Sequence, residues 1–229
     1  AIGQGQPHSG RWPQVFGPLA KMLAAFQLPV PLLADLLTAF EQDIVFTAEG
    51  RRYRDDAELL EYCRCSANPV GRLLLHLYNV RDAESLARSD QVCSALQLIN
   101  FWQDLSVDIP RARWYPSQAQ MALHGVTDAD LQHDAPHPRA SAMVAHYCTA
   151  ARQMMLQGAA LALRIPGRAG WELRLVVQGG LRILDRIAQM QHATWRARPR
   201  LQRLDAPLLL WRAWRMPAIP ASSAGGTAP

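Results

Sequence analysis

The stretch Gln97-Leu98-Ile99-Asn100-Phe101-Trp102-Gln103-Asp104-Leu105-Ser106-Val107-Asp108 holds the side chains best suited to chemistry. Residues four apart on a helix lie almost above one another, so Asn100, Asp104 and Asp108 form a ladder, continued toward the N-terminus by Gln97 and Cys93. Two carboxylates and an amide oxygen suit a hard divalent cation. Mg²⁺ takes one or two carboxylates and completes its shell with phosphate oxygens and water. Arg111, Arg113 and Tyr115 follow closely and could hydrogen-bond a diphosphate, arginine through its bidentate fork. The plainer reading is an aspartate pair on a solvated helix end, neutralised weakly by Arg111 and Arg113. Leu98, Ile99, Trp102 and Leu105 argue against it. A helix apolar around most of its circumference is central, and a polar ladder there must face a cavity or remain unpaired at high cost.

The elements that must position this ladder are helical throughout, with no convincing alternating strand. A helix starts near Pro18 and carries Leu19, Leu23 and Phe26; a second spans about residues 32–46, with Leu33, Leu36, Leu37 and Phe40 on its apolar stripe. Residues 50–54 read as a basic loop. Asp55 and Asp56 are candidate N-caps for the next helix. The small-residue run Ser66-Ala67-Asn68-Pro69-Val70-Gly71 interrupts it. One unbroken helix is expected over about residues 82–108, ending before Pro110. Short helical pieces follow near Ser117 and Thr127, then long helices near 139–163 and 170–191, and an amphipathic helix over 205–216. The organisation expected is a flexible lead (1–17), one helical domain (18–216) and a disordered tail (217–229).

Composition narrows the function classes. A chain of 229 residues, 49% hydrophobic, can build one sizeable core. The formal net charge is +5, but the arginines are scattered along the chain, so nucleic acid is not an expected partner. Cys63, Cys65, Cys93 and Cys148 lack metal-ligand spacing and read as reduced thiols of a cytosolic protein. No apolar run reaches the length of a membrane span. The helix around Leu208–Arg215, with tryptophan and arginine at its edges, could cap the bundle or lie on a membrane, with packing favoured.

The run from Tyr62 through Asn68-Pro69-Val70-Gly71-Arg72 to His76 resembles the helix-break segment of squalene/phytoene synthases, in the form found in bacterial hydroxysqualene synthases. Residues 95–108 and the turn Arg113-Trp114-Tyr115-Pro116 resemble that family's second aspartate-rich motif and the turn that trails it. Residues 173–184 are similar to a late helix of the hydroxysqualene branch. The resemblance covers roughly residues 18–216.

It implies an all-α isoprenoid (terpenoid) synthase bundle around a central cavity, with Mg²⁺ gripping a diphosphate between two facing aspartate-rich motifs. Asn100, Asp104 and Asp108 take the metal side, with Gln97 among the catalytic residues. Arg113, Tyr115, Gln103, Tyr62, Asn68, Val70, Gly71, Asp43 and Gln178 are the substrate-binding candidates. Leu73, Leu74, Phe101 and Val177 are candidates for an apolar wall, although a plain core role is favoured at each.

The activity implied is hydroxysqualene synthase: presqualene diphosphate ionises, rearranges and is captured by water in hopanoid biosynthesis. Presqualene diphosphate synthase and hydroxysqualene oxidoreductase would be its functional neighbours. The setting implied is the bacterial cytoplasm, with peripheral contact at the inner membrane. Rival readings are a presqualene diphosphate, squalene or phytoene synthase, and a non-catalytic relative like the complex I assembly factors. No dinucleotide fingerprint is present, which disfavours nicotinamide-dependent reduction. One departure stands out. The first aspartate-rich motif should lie upstream of about Leu19, and residues 1–18 are too short to hold the helices that carry it. The expectation is that the N-terminal helices are missing and that the isolated 229-residue product shows no turnover.

Overall fold

A computed structural model describes residues 12–216, and no strand occurs among them. The first helices are α1 (Pro13–Phe26), α2 (Val30–Glu49), α3 (Asp56–Ser66) and α4 (Asn68–Leu77). The central pair, α5 (Ala83–Gln103) and α9 (Pro138–Gly158), is separated by three short helices, α6 (Leu105–Asp108), α7 (Gln118–His124) and α8 (Asp128–Gln132). Then come α10 (Leu161–Arg164), α11 (Gly167–Gln189) and α12 (Ala206–Trp214). Residues 13–17 are therefore helical rather than part of a flexible lead. The expected tail at 217–229 lies outside the described residues.

Local sequence explains most helix ends. Asp55 accepts from the Glu58 N–H at 2.9 Å, Ser117 caps α7, and Thr127 closes a capping box with Asp130. The break between α3 and α4 narrows to Ala67, and Pro69 sits at the start of α4, where its missing N–H costs nothing.

α5 and α9 form the spine. Trp102 stacks on Tyr147 with ring centroids 3.9 Å apart, while at the other end Gly158 approaches Val92. The two helices are therefore antiparallel. A Cβ at Gly158 would lie 2.7 Å from both the Arg88 carbonyl and the Val92 side chain, so glycine permits this approach. α11 joins them through Leu181, Leu184 and Ile187. The turn after α6 is clamped from outside. Arg52 bonds Asp128 bidentately at 2.6 Å and lies over Trp114 at 4.0 Å, and the Ser117 N–H donates to the Tyr147 hydroxyl.

Two expectations need correction. Residues 82–108 are not one helix: the backbone breaks at Asp104, which leaves helical geometry (φ −103°, ψ 11°). The Ser106 N–H donates to the Thr194 carbonyl of the loop after α11, a partner outside the helix. The apolar stripe of α2 is only partly covered, with Leu37 and Phe40 exposed along with Ile44. Periodicity identified a face but not its neighbour.

α12 is tethered to α11 by ions. Asp205 is bonded by Arg182 and Arg186, and it accepts from the Gln202 N–H at 2.8 Å. The Gln202 N–H, then the two guanidiniums, hold its carboxyl down to about 2 against the opposing effect of burial. A folded-state value below the ordinary one means stability that is complete above about pH 4 and lost as pH falls through about 2. Urea midpoints of wild type and Asp205→Asn should therefore differ at pH 5 and converge by pH 2. A gap that is unchanged at pH 2 would refute this linkage.

Candidate active site

The face of α5 that bears the polar ladder continues into an apolar cavity. Ser89, Cys93 and Leu96 line a hollow of about 300 Å³, together with Val70, Gly71 and Leu74 of α4 and Leu173 and Val176 of α11. Leu75, Leu161 and Ile165 are buried at its base and make a small core of their own. From Cys93 to Asn100 the same helix face rises about 10 Å at 1.5 Å per residue. One helix thus joins a greasy hollow to a polar mouth.

Close approach explains the cavity wall. Gly71 lies so near α5 that a Cβ there would meet Ser89 Oγ at 2.3 Å and Cys93 Sγ at 2.5 Å. Glycine is needed where α4 crosses α5. Asn68, one turn earlier, is buried and accepts from Ser94 Oγ at 2.8 Å, fixing the crossing. Of the proposed wall residues, Leu74 lines the cavity. Phe101 and Val177 are fully buried core, the role favoured for them; Phe101 stacks on Tyr115 at 3.7 Å. Leu73 is half-buried and is not among the lining residues.

At the mouth the ladder bends. Asn100 is exposed, Asp104 is half-buried and Asp108 is buried. Asp104 is held by Arg198 from the loop after α11, and the Gln103 amide donates to the Pro199 carbonyl at 2.7 Å. Gln103 thus latches that loop to the end of α5. Burial pushes the Asp108 carboxyl up, and Asp104 and Asp43 add to this, while Arg113 and Arg111 oppose it. Three carboxylates from α2, the α5–α6 break and α6 therefore share one electrostatic neighbourhood.

Three tyrosines wall it. Tyr53, Tyr62 and Tyr115 are buried against one another, with Tyr53 and Tyr62 rings 5.8 Å apart and Tyr53 and Tyr115 rings 6.3 Å apart. Burial first, and then nearby groups that include Asp43, raise all three phenols well above their ordinary value. They stay neutral hydroxyl donors at any physiological pH. Arg113 is exposed and shares a shallow depression with Asp43, Phe40, Ile44 and Thr47. Gln97 is half-buried on α5, and Gln178 is buried on α11.

No group of three or more His, Cys, Asp or Glu side chains positioned for a metal occurs among the described residues. Asp104 and Asp108 are two oxygen donors in one neighbourhood, so a hard cation there would need substrate oxygens and water to complete its shell. A cation would relieve the repulsion that Asp104 and Asp43 exert on the Asp108 carboxyl. Arg198 and Tyr53 were missed in the sequence. Arg198 lies 94 residues beyond Asp104 in an irregular segment, and no local pattern marks it.

A helical bundle with an apolar hollow beneath an acidic and arginine-rich mouth narrows the choice of family. The squalene/phytoene synthase family model matches residues 1–205. The chain belongs to the squalene/phytoene synthase family. Its fold is that of the isoprenoid synthases. It is similar to the squalene synthase HpnC from Alicyclobacillus acidocaldarius, with a TM-score of 0.72 and 29% identity, covering 77% of this chain and 66% of that one. It is 36% identical to the hydroxysqualene synthase of Sinorhizobium fredii over 106 residues, 43% of this chain and 35% of that enzyme. The phytoene synthase of Thermus thermophilus is 31% identical over 176 residues, 75% of this chain and 60% of that enzyme. Matches to the curated hydroxysqualene synthases span about a third of those enzymes' lengths. Among its described residues this squalene/phytoene synthase family member has helices and no strand, and no helix is long and apolar enough to cross a membrane.

Proposed function

We propose that this squalene/phytoene synthase family member converts presqualene diphosphate and water to hydroxysqualene and diphosphate. One observation carries the proposal: a single face of α5 runs from the lining of an apolar cavity, at Ser89, Cys93 and Leu96, to the acidic mouth at Asp104. That geometry suits a long hydrocarbon ending in a diphosphate. The similarity to hydroxysqualene synthases at 36–38% identity supports the choice within the family.

Mg²⁺, when bound, would stabilise the charge that develops on the leaving diphosphate. Asp104 and Asp108 would hold it, with Asn100 one turn away. Arg111, Arg113 and the Tyr115 hydroxyl offer donors to the diphosphate oxygens. Arg198, which pairs with Asp104, would be a further donor if that carboxylate held a cation. Leu74, Leu96, Leu173 and Val176 surround the hydrocarbon and exclude water during rearrangement.

Residues 1–229 by themselves are expected to bind substrate without turning it over, since Asp43, Asp104 and Asp108 supply the mouth's carboxylates and the sequence holds no second aspartate-rich motif. Binding and turnover are therefore measured separately. Calorimetry with presqualene diphosphate should show Mg²⁺-dependent binding to residues 1–229. A longer chain that adds a second acidic helix should yield hydroxysqualene by gas chromatography–mass spectrometry. Absence of Mg²⁺-dependent binding would sink the assignment. Squalene as the product, or phytoene from geranylgeranyl diphosphate, would move it to a sister activity. Turnover by residues 1–229 alone would overturn the expectation that these carboxylates do not suffice.

A cavity variant gives a further expected result. Val176 is half exposed on the cavity wall, so Val176→Trp adds bulk to the hollow with little cost to the core. Binding of presqualene diphosphate should weaken while that of inorganic diphosphate stays constant. Equal loss for both ligands would show that the hydrocarbon does not lie there.

A further inference from the structure

The charge of this protein is less evenly spread than a scan of its arginines suggests. Residues 196–216 hold six arginines and a single acidic residue, Asp205, so this segment carries a net +5, equal to the formal charge of the whole chain. Three of the six are spent internally: Arg196 on Asp134, Arg198 on Asp104 and Arg212 on Asp185. Arg200 and Arg203 are exposed and form no ion pair among the described residues, and Arg215 reaches only the ring of Trp211, at 5.4 Å.

Apolar side chains stand exposed among them. Leu204 is 86% exposed and Trp214 71%, with Leu201, Leu210 and Trp211 also open to solvent. α12 has one buried residue, Ala213, which faces the bundle; Trp211 lies nearly opposite it, and Leu210 and Trp214 extend the same exposed arc at helical spacing. Ala213 fully buried beside an exposed Trp214 means that this helix docks by its small residue and presents its large ones outward. Burying two tryptophans and three leucines would take a large apolar area out of water, which favours docking.

We propose that residues 200–215 form a docking surface for an anionic lipid bilayer. Tryptophan rings suit the headgroup boundary, where one edge is apolar and the other wet. Leucines enter the acyl region, and unpaired arginines meet anionic headgroups. A second protein chain would explain the apolar side chains but would have to bury three uncompensated cations, which a negative surface neutralises. Leu201 lies three residues from Arg198, at most about 11 Å along the chain, so the bilayer contact adjoins the acidic mouth. The surface is independent of the reaction assignment, and its failure would leave that reading intact.

Vesicle flotation with the 229-residue chain tests it. Vesicles of phosphatidylcholine with phosphatidylglycerol should carry the protein upward, whereas pure phosphatidylcholine vesicles should carry far less, and raised salt should release it. Arg200→Gln/Arg203→Gln/Arg215→Gln should weaken binding on the order of 10²-fold on anionic vesicles only. Trp211→Ser/Trp214→Ser should abolish binding to both kinds, with helical circular dichroism unchanged. If that variant fails to fold, the wild-type protein still decides the matter. Brominated acyl chains should quench part of its tryptophan fluorescence, and no quenching would overturn the proposal. Self-association that masks the patch, seen as a sedimenting dimer that ignores vesicles, would overturn it too.

Discussion

Asp108→Asn should bind Mg²⁺–diphosphate at least 10–100-fold more weakly than wild type, while the protein becomes no less stable. The two halves of this expectation have one cause. Burial and the neighbouring carboxylates Asp104 and Asp43 raise the Asp108 carboxyl above its ordinary value. A folded-state value above the unfolded one means that ionising Asp108 works against folding at neutral pH. Asparagine keeps the volume and one acceptor oxygen but removes the charge, so the fold loses a repulsion while the cation loses a ligand. Stability and binding should move in opposite directions, as is common where a site is built at the expense of the fold. Titration calorimetry with inorganic diphosphate at fixed Mg²⁺, beside a thermal melt, reads both. In a chain competent for turnover, kcat should fall on the order of 10²–10³-fold, the scale for losing one group that stabilises developing charge. Unchanged diphosphate affinity would show that Asp108 is a structural carboxylate and not a metal ligand. A lowered melting temperature would show that its charge is compensated in a way the electrostatics around it do not suggest.

Trp102→Ala is expected to cost about 3–5 kcal/mol of stability, the largest single effect on the fold. Trp102 is 1% exposed, stacks on Tyr147 at 3.9 Å and meets the Phe101 ring edge-on at 6.3 Å. Removing it opens a void where α5 and α9 are closest to the mouth, and it frees Phe101, whose other face carries Tyr115. With typical domain stabilities of about 5–15 kcal/mol, the loss is a large fraction of the whole. Trp102→Phe should cost much less. The indole Nε1 has no hydrogen-bond partner, so phenylalanine removes a buried donor along with some volume. Urea denaturation of the three proteins checks the order. A cost below about 1 kcal/mol for the alanine variant would mean that the α5–α9 interface collapses freely around the gap.

Much of the architecture was readable from local pattern. Helical periodicity, the caps at Asp55, Ser117 and Thr127, and the arrest near Pro110 all depend on residues a few positions apart. The ladder Gln97–Asn100–Asp104 was legible for the same reason, because a helix turns spacing directly into a shared face. The bend at Asp104 was not. It depends on the Thr194 carbonyl and on Arg198, some 90 residues later, and no local preference encodes a hydrogen bond to a distant loop. Phe101 and Val177 are core, the role favoured for them from sequence, whereas Leu74, read the same way, lines the cavity, and only packing separates them.

Taken alone, the amino-acid order determined an all-helical chain, the helix that carries the acidic ladder, and a family resemblance strong enough to name the chemistry expected. The tertiary structure decided which ladder side chains are open, which are buried, and that Asp43 and Asp108 share one mouth although they are far apart in the chain. It also decided that Ser89, Cys93 and Leu96 line a hollow, and that Trp211 and Trp214 face outward. The division is physical. Helix formation is set by neighbours within a turn or two, whereas burial, ion pairing and cavities arise where segments distant in sequence meet, and their outcome belongs to the whole packed molecule.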